Sequence, residues 1–301
     1  MQITKGRKKK PFNVLKMGPP GIGKSTWAAD APNPIFMGGE EHDDTDADNF
    51  PQPKELKDVY DQIKYLKEKK HNYKTVVVDT IDSLEKLVHK KILASDSKQT
   101  GAMAKSHGGF GAGYDLAEKE MIKLRDKFKE LRDEKGMNLI FLAHVKTKKT
   151  IDPLINAEYD ELQLTLHQKA SAVFVGWVSA VLFASYVTRK DDSGDRTFAK
   201  GTGERIILTE QRPGHIAKNR YELPYELEMP IEHPFGPFLE AYEAFYEGKQ
   251  RPVEQVKKAC EDMLKMVDDE ELKTKVQETI AKAKTYDDFV KIEERLKVRL
   301  A

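Results

Sequence analysis

Nine consecutive residues, Gly18, Pro19, Pro20, Gly21, Ile22, Gly23, Lys24, Ser25 and Thr26, carry the clearest chemistry in the chain. The first eight satisfy the spacing G-x-x-x-x-G-K-[ST] at every fixed position. Glycines at this spacing let successive backbone N–H groups turn toward phosphate oxygens. A helix opening at the end of the loop adds the positive end of its dipole. Lys24 would reach the β- and γ-phosphates, and the Ser25 hydroxyl would ligate a metal. The cofactors this chemistry implies are ATP and Mg²⁺.

A metal-bound triphosphate needs a second oxygen ligand. Asp79 ends the apolar run Val76-Val77-Val78 and suits that role, holding Mg²⁺ through water from the strand beside that of the loop. Its other reading is a cap on the following helix. Hydrolysis also needs a group that orients the attacking water. Glu40 and Glu41 follow a short apolar strand, where one carboxylate would face the γ-phosphate, with Glu40 the first choice. Otherwise both belong to a solvated acidic loop. His144 ends the strand that follows Asp79, and a polar side chain there can sense the γ-phosphate. The bland reading is a satisfied histidine at the sheet edge.

Other motifs fall away. Asp44, Asp46, Asp48, Asn49 and Glu55 mimic a calcium loop, but no helix leads in, and Pro51 and Pro53 interrupt it. No His/Cys pair has zinc-ligand spacing, and no G-x-S-x-G elbow is present. Gly108-Gly-Phe-Gly-Ala-Gly113 has no strand running into it and reads as a flexible loop.

The elements that must position these residues follow from periodicity. Residues 13–17, 34–37, 75–79 and 138–143 read as short buried strands, and residues 173–186 and 205–209 supply more. Helices are expected from residue 25 to 30, stopped by Pro32 and Pro34. Others are marked by Leu56, Val59, Tyr60, Ile63 and Leu66, by Ile81, Leu84, Leu87 and Val88, and by Ala117, Met121, Leu124, Phe128 and Leu131. Residues 95–114 and 146–164 read as loops. Strands that are continuous apolar runs and alternate with helices predict an α/β fold, a mainly parallel sheet flanked by helices. Past residue 248 three apolar stripes predict a small helical unit, with Asp268 or Asp269 and Thr285 as N-caps.

The 301 residues suffice for one large domain and a small appendage. The expected division is a basic arm over 1–10, a nucleotide-binding domain over 11–248 and a three-helix unit over 249–301. A net charge of +1 gives no global field toward nucleic acid. Local patches remain, first Lys5-Gly-Arg-Lys-Lys-Lys10, a solvated tail or a phosphate-contacting arm. One cysteine, Cys260, excludes an intrachain disulfide and fits a reducing cytoplasm. The apolar stretch 170–187 is broken by Ser171, Gly176, Ser179 and Ser185, so no membrane partner is expected.

Taken in order, the phosphate loop, a strand ending in Glu40, Lys74-Thr-Val-Val-Val-Asp-Thr80, a glycine-bearing loop and a strand ending in His144 resemble the RecA-like ATPases of bacteriophages. The likeness is greatest to the phage nucleotide-binding proteins of single-strand annealing and recombination, and it covers about residues 10–245. It implies a RecA-like P-loop NTPase fold and a homo-oligomer, ring or filament, with ATP at subunit interfaces. Ala217-Lys218-Asn-Arg220-Tyr221 looks like the Lys-x-Arg finger that reaches a neighbour's γ-phosphate. Residues 146–164 match one DNA-binding loop, with Lys146, Lys148, Lys149 and Tyr159 as contacts. Residues 98–114 match the other, with Lys105 and Phe110.

The implied partners are single-stranded DNA and a single-strand-binding protein, in a bacterial host cytoplasm. Departures are His144 where RecA has glutamine, the lack of RecA's N-terminal oligomerisation helix and strand unless the short arm before Pro11 serves, and the unassigned C-terminal helices. A ring-type helicase or motor would use the same parts. So would a nucleotide-gated scaffold with little turnover. A small-molecule kinase would need an arginine-rich lid, and Arg189, Arg196 and Arg205 are too dispersed to form one.

Overall fold

The computed structural model describes residues 8–40, 45–152, 156–191, 198–247, 253–267, 269–283 and 286–300. Glu41, Asp44, Arg196, Asp268, Thr285 and the first residues of the basic arm lie outside them.

Buried on both faces, four apolar runs form the centre of the sheet: β1 (Asn13–Met17), β2 (Pro34–Met37), β4 (Thr75–Val78) and β5 (Asn138–Ala143). A two-residue β3 (Asp48–Asn49) pairs with β2 inside the acidic loop. β8 (Ala180–Asp191) extends the parallel part beside β1, and β9 (Phe198–Leu208) runs antiparallel to it. β10 (Lys218–Asn219) pairs with β8, and β11 (Glu226–Glu228) with β9. The order is β11-β9-β8-β1-β5-β4-β2-β3. One expectation is corrected here. The strand bearing Asp79 does not lie beside β1, because β5 is hydrogen-bonded to both. The end of β5, and hence His144, therefore sits between the phosphate loop and Asp79.

One face of the sheet carries α2 (Leu56–Glu68), α3 (Ile81–Ala94), α4 (Ala112–Lys135) and α5 (Gln168–Trp177). The other carries α1 (Lys24–Ala29) and α6 (Gly236–Glu247), where Phe12 and Trp27 pack edge to face or tilted against Phe235 and Phe238, and Phe12 edge to face against Tyr242. Residues 173–177, expected as strand, belong to α5. His167 caps that helix by accepting the Lys169 N–H, and β-branched Val173 and Val175 do not outweigh tertiary packing.

The segment 146–164, expected as a loop, is a hairpin of β6 (Val145–Asp152) and β7 (Ala157–Leu164), separate from the main sheet. Its cross-strand partners explain it. Lys148 lies opposite Glu161 and Lys149 opposite Asp160, pairs that stabilise an antiparallel ribbon. In the sequence the same alternation reads as a solvated charge run.

At the C-terminal end, α7 (Val253–Lys265), α8 (Glu270–Lys282) and α9 (Tyr286–Leu300) share their own apolar cluster around Val256, Cys260, Met263 and Leu296. Asp269 caps α8 through the Glu271 and Leu272 N–H groups. Among the described residues no helix is long and apolar enough to cross a membrane.

Candidate nucleotide-binding site

Met17 ends β1, and the phosphate loop turns directly into α1. Gly23 adopts φ 89°, a conformation that favours glycine, and a Cβ there would lie 2.6 Å from Nη1 of Arg205, the movable end of a flexible side chain. Lys24 is 7% exposed, and its ammonium donates to the carbonyls of Gly18 and Pro19, each at 3.1 Å. Burial lowers this lysine's pKa. Asp79, Asp82 and Glu40 pull it back, without restoring the ordinary value.

Ser25 Oγ donates to Asp79 Oδ2 at 2.6 Å, although the two lie 54 positions apart. A hydroxyl and a buried carboxylate in contact form the hard oxygen pair that magnesium takes. An exchangeable lysine beside them suits a phosphate chain. The residues therefore fit MgATP, with Ser25 and Asp79 on the metal side and residues 18–26 around the phosphates.

Glu40 is brought to the same place by backbone packing. Gly38, at φ 133°, lies so close to Asp79 that a Cβ would fall 2.2 Å from the Asp79 carbonyl oxygen. The Glu40 N–H donates to that oxygen at 3.2 Å, and Thr80 Oγ1 donates to Glu40 Oε1 at 3.5 Å. Glu40 is solvent-exposed.

His144 is held by a residue that sequence reasoning missed. Asp82, in the first turn of α3, accepts the His144 N–H at 3.1 Å and meets His144 Nδ1 at 2.9 Å. Burial raises the Asp82 carboxyl, but its contacts with His144 outweigh burial and keep it below the usual carboxylate range. Glu85, one turn further, accepts the His167 N–H at 3.0 Å. The two feet of the β6–β7 hairpin are thus anchored on the helix that follows Asp79. Asp82→Asn is expected to lower turnover about tenfold, since a hydrogen bond to a charged group is worth about 1.5–3 kcal/mol. Nucleotide affinity should stay within about twofold. Steady-state kinetics check this, and an unchanged kcat would remove His144 positioning from Asp82's role.

Arg205, weighed in the sequence only as part of a kinase lid, is the second residue whose place beside the loop was missed. It lies on β9, and its Nη2 donates to the Pro230 carbonyl at 3.3 Å. Nothing local marks it, because it meets Gly23 only through the β8–β9 pairing.

The Lys-x-Arg pair lies elsewhere. Met17 faces Phe183 across β1–β8, whereas Lys218 faces Val181 and Asn219 faces Ala180. Arg220 lies beyond the start of β8, its N–H on the Ser179 carbonyl at 3.0 Å, at the opposite end of the sheet from the loop. Its side chain is exposed. Lys218 is corrected as a free cation: its ammonium donates to the carbonyls of Val175 at 2.7 Å and Gly176 at 2.9 Å, closing the C-terminal end of α5.

The two segments matched to DNA loops differ. In the hairpin, Lys146, Lys148 and Lys149 share a ribbon with Asp152, Glu158, Asp160 and Glu161. Lys146 is tied to the carbonyls of Thr165 at 2.9 Å and Leu166 at 3.3 Å. Tyr159 lies half-buried opposite Thr150. The ribbon is therefore not the basic strip expected from its lysines. The other segment has a pinned base and an open tip. Met103 and Ser106 are buried, and Asp96 accepts hydrogen bonds from Thr100 and His107. Phe110 at the tip is fully exposed, and Lys105 beside it is exposed.

Fold and site together define a P-loop NTPase. The chain matches the AAA domain family over residues 10–221, most of its length, and belongs to that family. A comparison with curated proteins returns no match.

Proposed function

We propose that the chain is a RecA-like ATP hydrolase that assembles as a ring or filament and acts on single-stranded DNA in phage recombination, annealing or repair. The Ser25–Asp79 contact carries the hydrolase reading, because it joins a phosphate loop to a metal-side carboxylate. Lys24 exchanges its loop carbonyls for phosphate oxygens. Glu40 orients a water for in-line attack on the γ-phosphorus and takes its proton, the bond to the β,γ-bridging oxygen breaks, and ADP and phosphate leave. Ser25 and Asp79 would hold magnesium, which when bound would supply charge neutralisation at the phosphoryl oxygens. Arg220, far from its own loop and exposed, supports delivery of a cation to a neighbour's site. DNA contact is assigned to Lys105 and Phe110 rather than to the hairpin lysines.

Labelled single-stranded oligonucleotide, titrated with a slowly hydrolysed ATP analogue at low salt, tests the DNA reading. Binding should weaken with salt, and Phe110→Ala should cost about 1–3 kcal/mol, the worth of one base stack. No binding by the wild-type chain would contradict the reading. The balanced charge of β6–β7 favours a second one, a nucleotide-gated scaffold with little turnover that docks another protein, a single-strand-binding protein among the choices.

A further inference from the structure

The backbone leading into Glu40 is held by two side chains that the hydrolytic reading does not use. Ser83 is buried in the first turn of α3. Its Oγ accepts the Gly39 N–H at 2.9 Å and donates its own proton to the Thr80 carbonyl at 2.6 Å. With that proton committed to Thr80, a lone pair is left for Gly39. The approach is close. A Cβ built on Gly39 would lie 2.7 Å from Ser83 Cβ, so a side chain there would force the end of β2 away from the helix. The next peptide is held on both sides. Its carbonyl, that of Gly39, accepts Gln52 Nε2 at 2.5 Å, and its N–H, that of Glu40, donates to the Asp79 carbonyl. Gln52 comes from a fixed part of the acidic loop. The Phe50 N–H donates to the Phe36 carbonyl at 2.9 Å, the Pro51 carbonyl accepts Gln62 Nε2 from α2 at 2.8 Å, and Pro53 is buried. Pro53 also restricts the Gln52 backbone to extended conformations.

We propose that Ser83 and Gln52 are positioning residues for Glu40. Together they fix the Gly39–Glu40 peptide, and with it the direction in which the Glu40 side chain leaves the backbone. The inference rests on the reading of Glu40 as the group that orients the attacking water. Glu40 is exposed, and its carboxylate is loosely held: Thr80 Oγ1 donates to it at 3.5 Å, beyond the usual range of about 2.5–3.0 Å. An exposed carboxylate so weakly held at its head takes its aim from its backbone. Aim matters, because a misplacement of about 1 Å can cost about 10²-fold in rate. The acidic loop thereby has a role in the reaction: it carries Gln52 back to the end of β2, beside the helix that follows Asp79.

The test is a double-mutant cycle on single-turnover ATP hydrolysis by the full chain, with ATP affinity measured alongside. Glu40→Gln should lower the rate by about 10²–10⁴-fold, the range for a lost general base. Ser83→Ala should lower it about tenfold. Gln52→Ala changes an exposed side chain, so the fold should stay intact, and it should lower the rate by about three- to tenfold. Both should keep ATP affinity within about twofold of wild type. In the Glu40→Gln background each should cost less than about twofold, because no carboxylate is left to aim. A purely structural role would instead cost the same in both backgrounds. An equal cost in both backgrounds, or no cost in wild type, would overturn positioning while leaving Glu40 standing. Should Ser83→Ala fail to fold, the Gln52→Ala cycle decides by the same criteria. A wild type without turnover, or Glu40→Gln at the wild-type rate, would overturn the reading of Glu40 and the positioning with it.

Discussion

Lys24→Ala is expected to lower ATP turnover by about 10²–10³-fold or more, the range for removing one preorganised electrostatic donor. The loss follows from where the ammonium sits. It is buried, and its hydrogen bonds go to two loop carbonyls that a phosphate chain can replace. With the cation gone, the loop keeps its N–H groups but loses the charge nearest the γ-phosphate. A thermal-shift series checks binding separately from turnover. ATP at about one hundred times its Kd stabilises a protein by about 2.7 kcal/mol, and that shift should vanish in the variant.

The nucleotide-free fold should tolerate the change. Burial, outweighing Asp79, Asp82 and Glu40, holds Lys24 below the ordinary lysine value, so the unfolded chain binds its proton more tightly. That penalty is full below the folded pKa and fades as pH rises to about 10.4. Wild type should therefore gain stability relative to Lys24→Ala over the alkaline range. A gain in the opposite direction would mean that Lys24 serves the unliganded fold, not the ligand.

Arg220→Ala is expected to leave ATP binding intact and lower hydrolysis by about 10³-fold, the lower end for an arginine supplied to a transferring phosphoryl group. Its own loop is out of reach, since Arg220 follows the β10 residues that pair with the start of β8. Under the proposed delivery in trans, a cation so placed serves a second copy. Mixing Arg220→Ala with Lys24→Ala should restore part of the turnover, because each variant supplies the half-site the other lacks. Lys218 should contribute through α5, which it caps, rather than through the phosphate. If mixed, assembled variants show no recovery, delivery in trans is wrong.

Much of the site was legible because its chemistry is local. The loop, Asp79 at the end of β4 and His144 at the end of β5 each stand where an apolar run stops. The sheet centre was legible for the same reason. What escaped is set by pairing between distant segments. Periodicity cannot say that β5 lies between β1 and β4, or that Arg205 on β9 reaches Gly23. Nor does it show Lys16 fully buried, its ammonium 4.2 Å from the centroid of the Trp27 ring and 3.2 Å from Met229 Sδ. Asp82 did leave a trace, a second carboxylate three positions after Asp79, at the start of the helix that follows it. The hairpin lysines misled because their acidic partners lie ten or more positions away in the chain.

The most direct measurement is ATP hydrolysis by the purified chain with and without single-stranded DNA, with particle size followed in parallel. The expected result is turnover that rises with DNA and with assembly, and that is absent from Lys24→Ala. Turnover no higher than that of Lys24→Ala, in assembled protein and with DNA present, would contradict the assignment of residues 18–26, Glu40 and Asp79 as a hydrolytic site.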